Sequence, residues 1–175
     1  MDVIETERLH LERWSDAHLE PLVRMCGDPE VMRFIGDGSI WSPERAAETH
    51  ERKLLLWVER GYGWRAALDR ADGSWVGIAA LQPVGEGVEG VDPEEVEIGW
   101  WIEPPLWGHG YATEAARPLL DEAFGRVGLE RVVARIQPAN LASAGVARKL
   151  GLRHDRTTQG ARGESIDIYL LAQPA

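Results

Sequence analysis

Val96-Glu97-Ile98-Gly99-Trp100-Trp101-Ile102-Glu103-Pro104-Pro105-Leu106-Trp107-Gly108-His109-Gly110-Tyr111-Ala112-Thr113-Glu114-Ala115 is the stretch that decides the fold. It opens as an apolar β-rich run from Val96 to Ile102, passes through Pro104-Pro105, Gly108 and Gly110, and re-enters order at Tyr111. From there Ala112, Ala115, Ala116, Leu119, Leu120, Ala123, Phe124 and Val127 recur three and four positions apart, which predicts a helix over 111–127. A strand therefore turns through glycines directly into a helix. Pro118 removes one backbone donor inside that helix and predicts a bend or a local adjustment.

Outward from this segment, strands and helices alternate. Arg8 to Trp14 alternates as a first strand, Ser15 caps a helix through about Met25, and Asp28-Pro29 opens a short second one. Ser42-Pro43-Glu44 starts a longer helix to about Arg60, on which Ala46, Ala47, His50, Leu54, Leu55 and Val58 keep helical spacing until Gly61 stops it. Trp64 to Leu68 and Trp75 to Leu81 are β-rich runs joined by Asp69-Arg70-Ala71-Asp72-Gly73, the composition of a hairpin. Gly85 to Pro93 reads as a loop. Arg131 to Gln137 is a β-branched strand, Asn140 to Leu150 a short helix ended by Gly151, and Ile166 to Leu171 a last strand. Hairpins feeding a strand-helix-strand-helix unit predict an α/β (α+β) class: a mixed, mostly antiparallel twisted sheet with helices on both faces.

At 175 residues the chain fits one domain, and no repeat, linker or low-complexity tract divides residues 1–175. No apolar run nears the roughly 20 residues of a membrane span. The charged start, Met1-Asp2-Val3-Ile4-Glu5-Thr6-Glu7-Arg8, lacks the apolar centre of a signal peptide, so a soluble cytoplasmic protein is expected. The single cysteine, Cys26, cannot close an internal disulfide and reads as a buried apolar filler. A formal charge of -10 opposes attraction to nucleic acid or to an anionic membrane and favours a cationic partner such as an amine or a basic peptide. Of the eight tryptophans, most are expected in the core, with Trp41, Trp64, Trp100 and Trp101 as candidates to line an acceptor pocket.

The chemistry sits at the turn. The first turn of a helix leaves backbone N–H groups unpaired and carries about half a positive charge, so an anion is held there without a basic side chain. Gly108 and Gly110 let phosphates approach, although a Gly-x-Gly alone equally suits a tight turn. A dinucleotide-binding reading fails twice: the spacing is Gly-x-Gly-x-Ala, and the next strand ends in Gln137-Pro138-Ala139-Asn140, with no acid for a ribose hydroxyl. No Gly-Lys-Ser/Thr follows, which excludes a Walker loop.

Trp107-Gly108-His109-Gly110-Tyr111-Ala112-Thr113-Glu114-Ala115 resembles the acyl-CoA signature of the GNAT family of N-acetyltransferases, in its RimJ/RimL-like branch. Trp107 stands where the wider family has Arg or Gln, and the branch commonly carries tryptophan there. Asn140-Leu141-Ala142-Ser143 with Arg148-Lys149-Leu150-Gly151-Leu152 is similar to a second family signature, and Glu5-Thr6-Glu7-Arg8-Leu9-His10-Leu11 resembles the opening of the branch. The resemblance implies acetyl-CoA as cosubstrate and no metal. It implies a splayed central strand pair that admits the pantetheine arm, with the pyrophosphate on Trp107, Gly108, His109, Gly110, Tyr111, Ala112 and Thr113. The arm would meet the backbone of Trp100, Trp101, Ile102 and Glu103. Asn140 would contact the pantetheine besides capping its helix, Ser143 would lie near the sulfur, and Lys149 and Arg148 could meet the 3′-phosphate. His109 reads equally as a solvated loop residue. The branch often forms homodimers.

An amine must be neutral to attack a thioester. At pH 7 that costs about 1 kcal/mol for an α-amine and about 4 to 5 kcal/mol for lysine. Glu97, on the same strand face as Gly99 and Trp101, is the candidate base, directly or through water. Backbone N–H near Trp101 or Ile102 would polarise the carbonyl. The tyrosine with which many family members protonate the thiolate falls at Ala147, so Ser143 or a water would replace it. That absence keeps open a noncatalytic acyl-CoA-binding module beside the transferase that acetylates a small-molecule or peptide amine.

Overall fold

A computed structural model describes residues 3–173. Its strands are β1 (Val3–Glu5), β2 (Leu9–Arg13), β3 (Trp64–Asp69), β4 (Trp75–Pro83), β5 (Val96–Ile102), β6 (Arg131–Ile136), β7 (Arg153–Gln159) and β8 (Ser165–Ala172). They hydrogen-bond in the order β1-β2-β3-β4-β5-β6-β8-β7. The β1–β2, β2–β3, β6–β8 and β7–β8 pairs are antiparallel and β5–β6 is parallel, which makes the mixed, mostly antiparallel sheet that the sequence predicts. The chain folds into two compact units: one takes the residues up to Ala79 with Trp100–Ala115, the other Ala80–Gly99 with the residues from Ala116 on.

In the first unit, Leu9 and Leu11 are fully buried while the intervening His10 is half-buried, the period of two of a strand with one face on a core. The helices are α1 (Leu19–Cys26), α2 (Pro29–Met32) and α3 (Pro43–Arg60). Each boundary of α3 follows from its caps. The Ser42 side chain accepts the Arg45 N–H at 3.2 Å, Pro43 needs no donor at the first position, and Gly61 closes the helix at a φ of 70°. The helix expected directly after Ser15 starts later, because Asp16–His18 form a 3-10 turn in which the Ser15 N–H donates to His18 Nδ1 at 3.1 Å. Trp14, Trp57 and Trp64 are core residues, and the Trp57 indole N–H donates to the Trp64 carbonyl at 2.8 Å.

In the second unit, Val84, Val88, Val133, Ile166 and Ile168 form a core cluster, with Val91 and Leu170 packed on it. The helix α5 (Leu141–Lys149) follows β6. Glu97 opposite Val133 is the one register pair of β5 with β6 among the described residues. Two strands escape the sequence reading. β1 has only three residues, and β7 is polar and almost wholly exposed, so neither carries an alternation. Both are ordered by antiparallel partners, β2 and β8.

The predicted helix over 111–127 is α4 (Tyr111–Asp121) followed by a π-helical segment over Glu122–Arg126. Val127 N–H donates to the Glu122 carbonyl at 2.9 Å, a spacing of five residues, so the adjustment expected from Pro118 falls within a turn or so after it.

Candidate active site

The turn between β5 and α4 is pinned at each step. Glu103 N–H donates to the Val76 carbonyl at 3.0 Å, prolonging the β4–β5 ladder by one bond, and Pro104–Leu106 form a 3-10 turn. Trp107 is 48% exposed, yet its indole N–H donates to the Ile102 carbonyl at 2.6 Å and buckles the turn back onto the strand end. An Arg or Gln here would supply charge or reach; the tryptophan supplies a fixed shape. Gly108 and Gly110 have φ of 79° and 87°, where side-chain-bearing residues are strained, and a Cβ on Gly108 would meet nothing within 4 Å. Glu114 N–H donates to the Gly110 carbonyl at 3.0 Å and begins the helical ladder. The N–H groups of Tyr111, Ala112 and Thr113 therefore precede it and point out of the helix start, at the positive end of the dipole. His109 is exposed beside them.

An N-terminal clamp, not assigned from the sequence, holds this helix start. The Glu114 carboxylate accepts the Thr6 hydroxyl at 2.6 Å, the Arg8 backbone N–H at 2.7 Å and the Arg8 Nε at 2.7 Å. The Arg8 guanidinium also lies 4.1 Å over the Tyr111 ring, and its Nη2 comes within 3.6 Å of where a Gly110 Cβ would be. Burial pushes the Glu114 carboxyl up, and the hydrogen bonds from Thr6 and Arg8 outweigh it, so its pKa lies below the ordinary glutamate value. The resemblance at the chain start and that at the turn are thus two halves of one contact. The sequence signal was present in both motifs; their meeting was not.

Strand geometry sorts the backbone of Trp100, Trp101, Ile102 and Glu103. N–H and C=O of one residue point to the same edge and alternate along the strand. Glu103 N–H and the Trp101 carbonyl face β4, where a Cβ on Gly77 would run into that carbonyl oxygen. The opposite edge belongs to Trp100 and Ile102, and the Ile102 carbonyl already accepts from Trp107. Of the two expected carbonyl-polarising donors, Ile102 N–H faces away from β4 and Trp101 N–H faces toward it.

In the second unit, Glu97 is buried and its carboxylate accepts Arg135 Nε at 2.5 Å and Arg135 Nη2 at 2.7 Å, with the Gln82 amide on the same group. A two-point guanidinium grip fixes the carboxylate in one orientation and commits both oxygens. Asn140 caps α5, its side-chain oxygen accepting the Ser143 N–H at 3.1 Å, and the Ser143 side chain is half-buried one helical turn away. Ala147 is fully buried at 0% exposure, so the expected tyrosine would have no room there without repacking. Arg148 and Lys149 are exposed at the end of α5, where Arg117 donates to the Lys149 carbonyl at 2.9 Å.

Among the described residues there is no group of three or more His, Cys, Asp or Glu placed to hold a metal ion, and no helix long and apolar enough to cross a membrane. A family model for an acetyltransferase (GNAT) domain matches residues 8–153. The FsC-acetyl coenzyme A-N(2)-transacetylase of Aspergillus fumigatus is 31% identical over 156 residues, which cover 88% of this chain and 66% of that relative, just under two thirds of its length. An acetyltransferase from Agrobacterium tumefaciens superposes with a TM-score of 0.83 at 25% identity, over 99% of this chain and 95% of that one. A RimL ribosomal L7/L12 alpha-N-protein acetyltransferase in complex with coenzyme A shares the fold, with a TM-score of 0.75 at 17% identity over 97% of both chains. With the glycine turn, the Asn140 cap and the family match over most of its length, the chain belongs to the GNAT family of acetyltransferases.

Proposed function

We propose that the chain works as a single acetyl-CoA-dependent N-acetyltransferase domain that moves the acetyl group directly to a primary amine, on a protein N-terminus or a small molecule. One observation carries the reading: a helix start whose Tyr111, Ala112 and Thr113 N–H groups lie ahead of the ladder, behind glycines at φ of 79° and 87° with open space beside Gly108. That arrangement fits a diphosphate and nothing cationic. The RimL relative was solved with coenzyme A, and the Aspergillus relative is named for acetyl coenzyme A. The cosubstrate supplies the activated acyl group and a thiolate leaving group. Trp107, Gly108, His109, Gly110, Tyr111, Ala112 and Thr113 would hold its pyrophosphate, Trp100 and Ile102 the arm, Asn140 and Ser143 its far end, and Lys149 its 3′-phosphate.

The residues divide the remaining work. Ile102 N–H is the assigned donor to the thioester carbonyl. Ser143 is assigned to the thiolate, whose thiol pKa of about 8.5 makes it a fair leaving group even unassisted. Glu97 would take a proton only by exchange within its Arg135 and Gln82 network or by way of a water, and Glu97→Gln measures that contribution.

Calorimetry with coenzyme A and a thiol-release assay with α-amines, polyamines, aminoglycosides and N-terminal peptides test the reading. Binding plus turnover on at least one amine is expected. No heat with coenzyme A would overturn it. Tight binding with no turnover would favour a noncatalytic acyl-CoA sensor, the reading that the buried Ala147 in place of a tyrosine supports.

A further inference from the structure

Glu103 carries a buried polar atom with no structural use. Its Oε1 is shielded from solvent and has no hydrogen-bond partner among the described residues. A buried carboxylate oxygen left unpaired costs several kcal/mol, so a native chain keeps one only where something else meets it. Fixed elements surround it. Its own N–H is tied to the Val76 carbonyl at 3.0 Å and its carbonyl to Leu106 N–H at 2.9 Å, so the backbone cannot swing the side chain away. Two residues earlier, Trp101 meets Trp41 edge to face at 5.8 Å between ring centroids and Trp64 at 5.1 Å.

The loop bearing Trp41 closes the same corner, since Trp41 N–H donates to the Cys26 carbonyl at 3.0 Å. Cys26 lies between Arg24 and Asp28, the two charged groups whose fields reach the Glu103 carboxyl. Neither forms an ion pair or hydrogen bond with it among the described residues. The Trp41 indole N–H is likewise buried without a hydrogen-bond partner among the described residues. Two chain segments and the end of β5 thus converge on one orphan acceptor beside half-buried tryptophan rings, with Arg45 already 4.8 Å over the Trp41 ring.

We propose that Glu103 is the carboxylate that receives the acceptor, holding the ammonium of a primary amine on an apolar or aromatic body against Trp41 and Trp101 and taking its proton. This rests on the acyltransferase reading above and names the acceptor end of that site. Glu97 offers a carboxylate gripped by Arg135, whereas Glu103 offers an oxygen with no hydrogen-bond partner among the described residues. Burial pushes the Glu103 carboxyl up, the Arg24 guanidinium offsets part of that, and Asp28 adds to it, so its pKa lies above the ordinary glutamate value, in the direction a general base needs. The ammonium gives one proton to Glu103, and the freed lone pair forms the C–N bond as the C–S bond breaks with its electrons on sulfur. The nitrogen's surplus proton then reaches the thiolate by way of the Ser143 hydroxyl, and Glu103 returns its own to solvent.

The test uses 2-phenylethylamine, its neutral counterpart 2-phenylethanol, and coenzyme A, with the full chain and Glu103→Gln. Tryptophan fluorescence follows the aromatic ligands and calorimetry the coenzyme. Wild type is expected to prefer the amine over the alcohol at least tenfold at pH 7. Glu103→Gln should bind both equally, while its affinity for coenzyme A stays within twofold of wild type. Because the substitution removes an unpaired buried charge, its melting temperature should equal or exceed that of wild type. Equal amine affinity in the two proteins, no saturable amine signal in wild type, or a lower melting temperature for Glu103→Gln would overturn the assignment of Glu103 while leaving coenzyme A binding, and the acyltransferase reading, intact. Loss of coenzyme A binding in wild type would instead sink that reading, and with it the proton-accepting role.

Discussion

Replacing Glu114 by alanine removes the acceptor for Thr6 and for two donors of Arg8 in one step. A hydrogen bond to a charged group contributes about 1.5–3 kcal/mol, but the guanidinium share must be discounted, because the Arg8 side chain is 39% exposed and an exposed ion pair is worth about 0–1 kcal/mol. The Thr6 hydroxyl and Arg8 N–H remain, on a carboxylate only 16% exposed, and leaving them unpaired brings the expected loss to about 3 kcal/mol. For a chain of this length that lowers the melting temperature by about 6–12 °C. Glu114→Gln keeps an acceptor oxygen for Thr6 and the Arg8 N–H and loses only the charge, so about 1 kcal/mol is expected. Acid should reproduce part of the effect. The folded pKa of Glu114 is depressed, so its stabilisation is full above the unfolded value of about 4.3 and disappears as pH falls below it. Denaturant melts of the two variants from pH 3.5 to 7 measure all of this. A Glu114→Ala melt within 2 °C of wild type, or a glutamine variant as unstable as the alanine one, would refute the clamp.

Three further outcomes follow from particular geometries. Gly110→Ala places a side chain at a φ of 87°, so a loss of about 1–2 kcal/mol and at least tenfold weaker coenzyme A binding are expected, read by melts and calorimetry; unchanged affinity would separate the turn from the diphosphate. In His18, burial lowers the pKa, Glu12 raises it in part and His50 lowers it further, and Nδ1 already accepts the Ser15 N–H. Its contribution is therefore present above about pH 6.5 and is lost as pH falls toward the depressed folded value, a slope that His18→Gln should abolish in melts between pH 5 and 7. Burial pushes the Cys26 thiol up to about 12, so Cys26 should stay unlabelled by a thiol reagent in the native protein and react on unfolding, leaving coenzyme A as the thiol seen in a release assay.

The sequence by itself determined the parts whose causes are local. The caps of α3, the boundaries of β5, the hairpin between β3 and β4, and the glycine turn into α4 each depend on residues within a few positions of one another, so spacing alone exposes them. Only the tertiary structure decided what distant residues do together. β7 is a strand because β8 pairs with it, not because its polar side chains alternate. Thr6 and Arg8 meet Glu114 across 108 and 106 positions, and the Glu97 carboxylate is gripped by Arg135 across 38, a contact that no local spacing announces. Glu103 resembled any other acid at a strand end until the fold left its Oε1 buried with no hydrogen-bond partner among the described residues. Desolvation and long-range hydrogen bonds are properties of an environment, and an environment is not written at any one position of the chain.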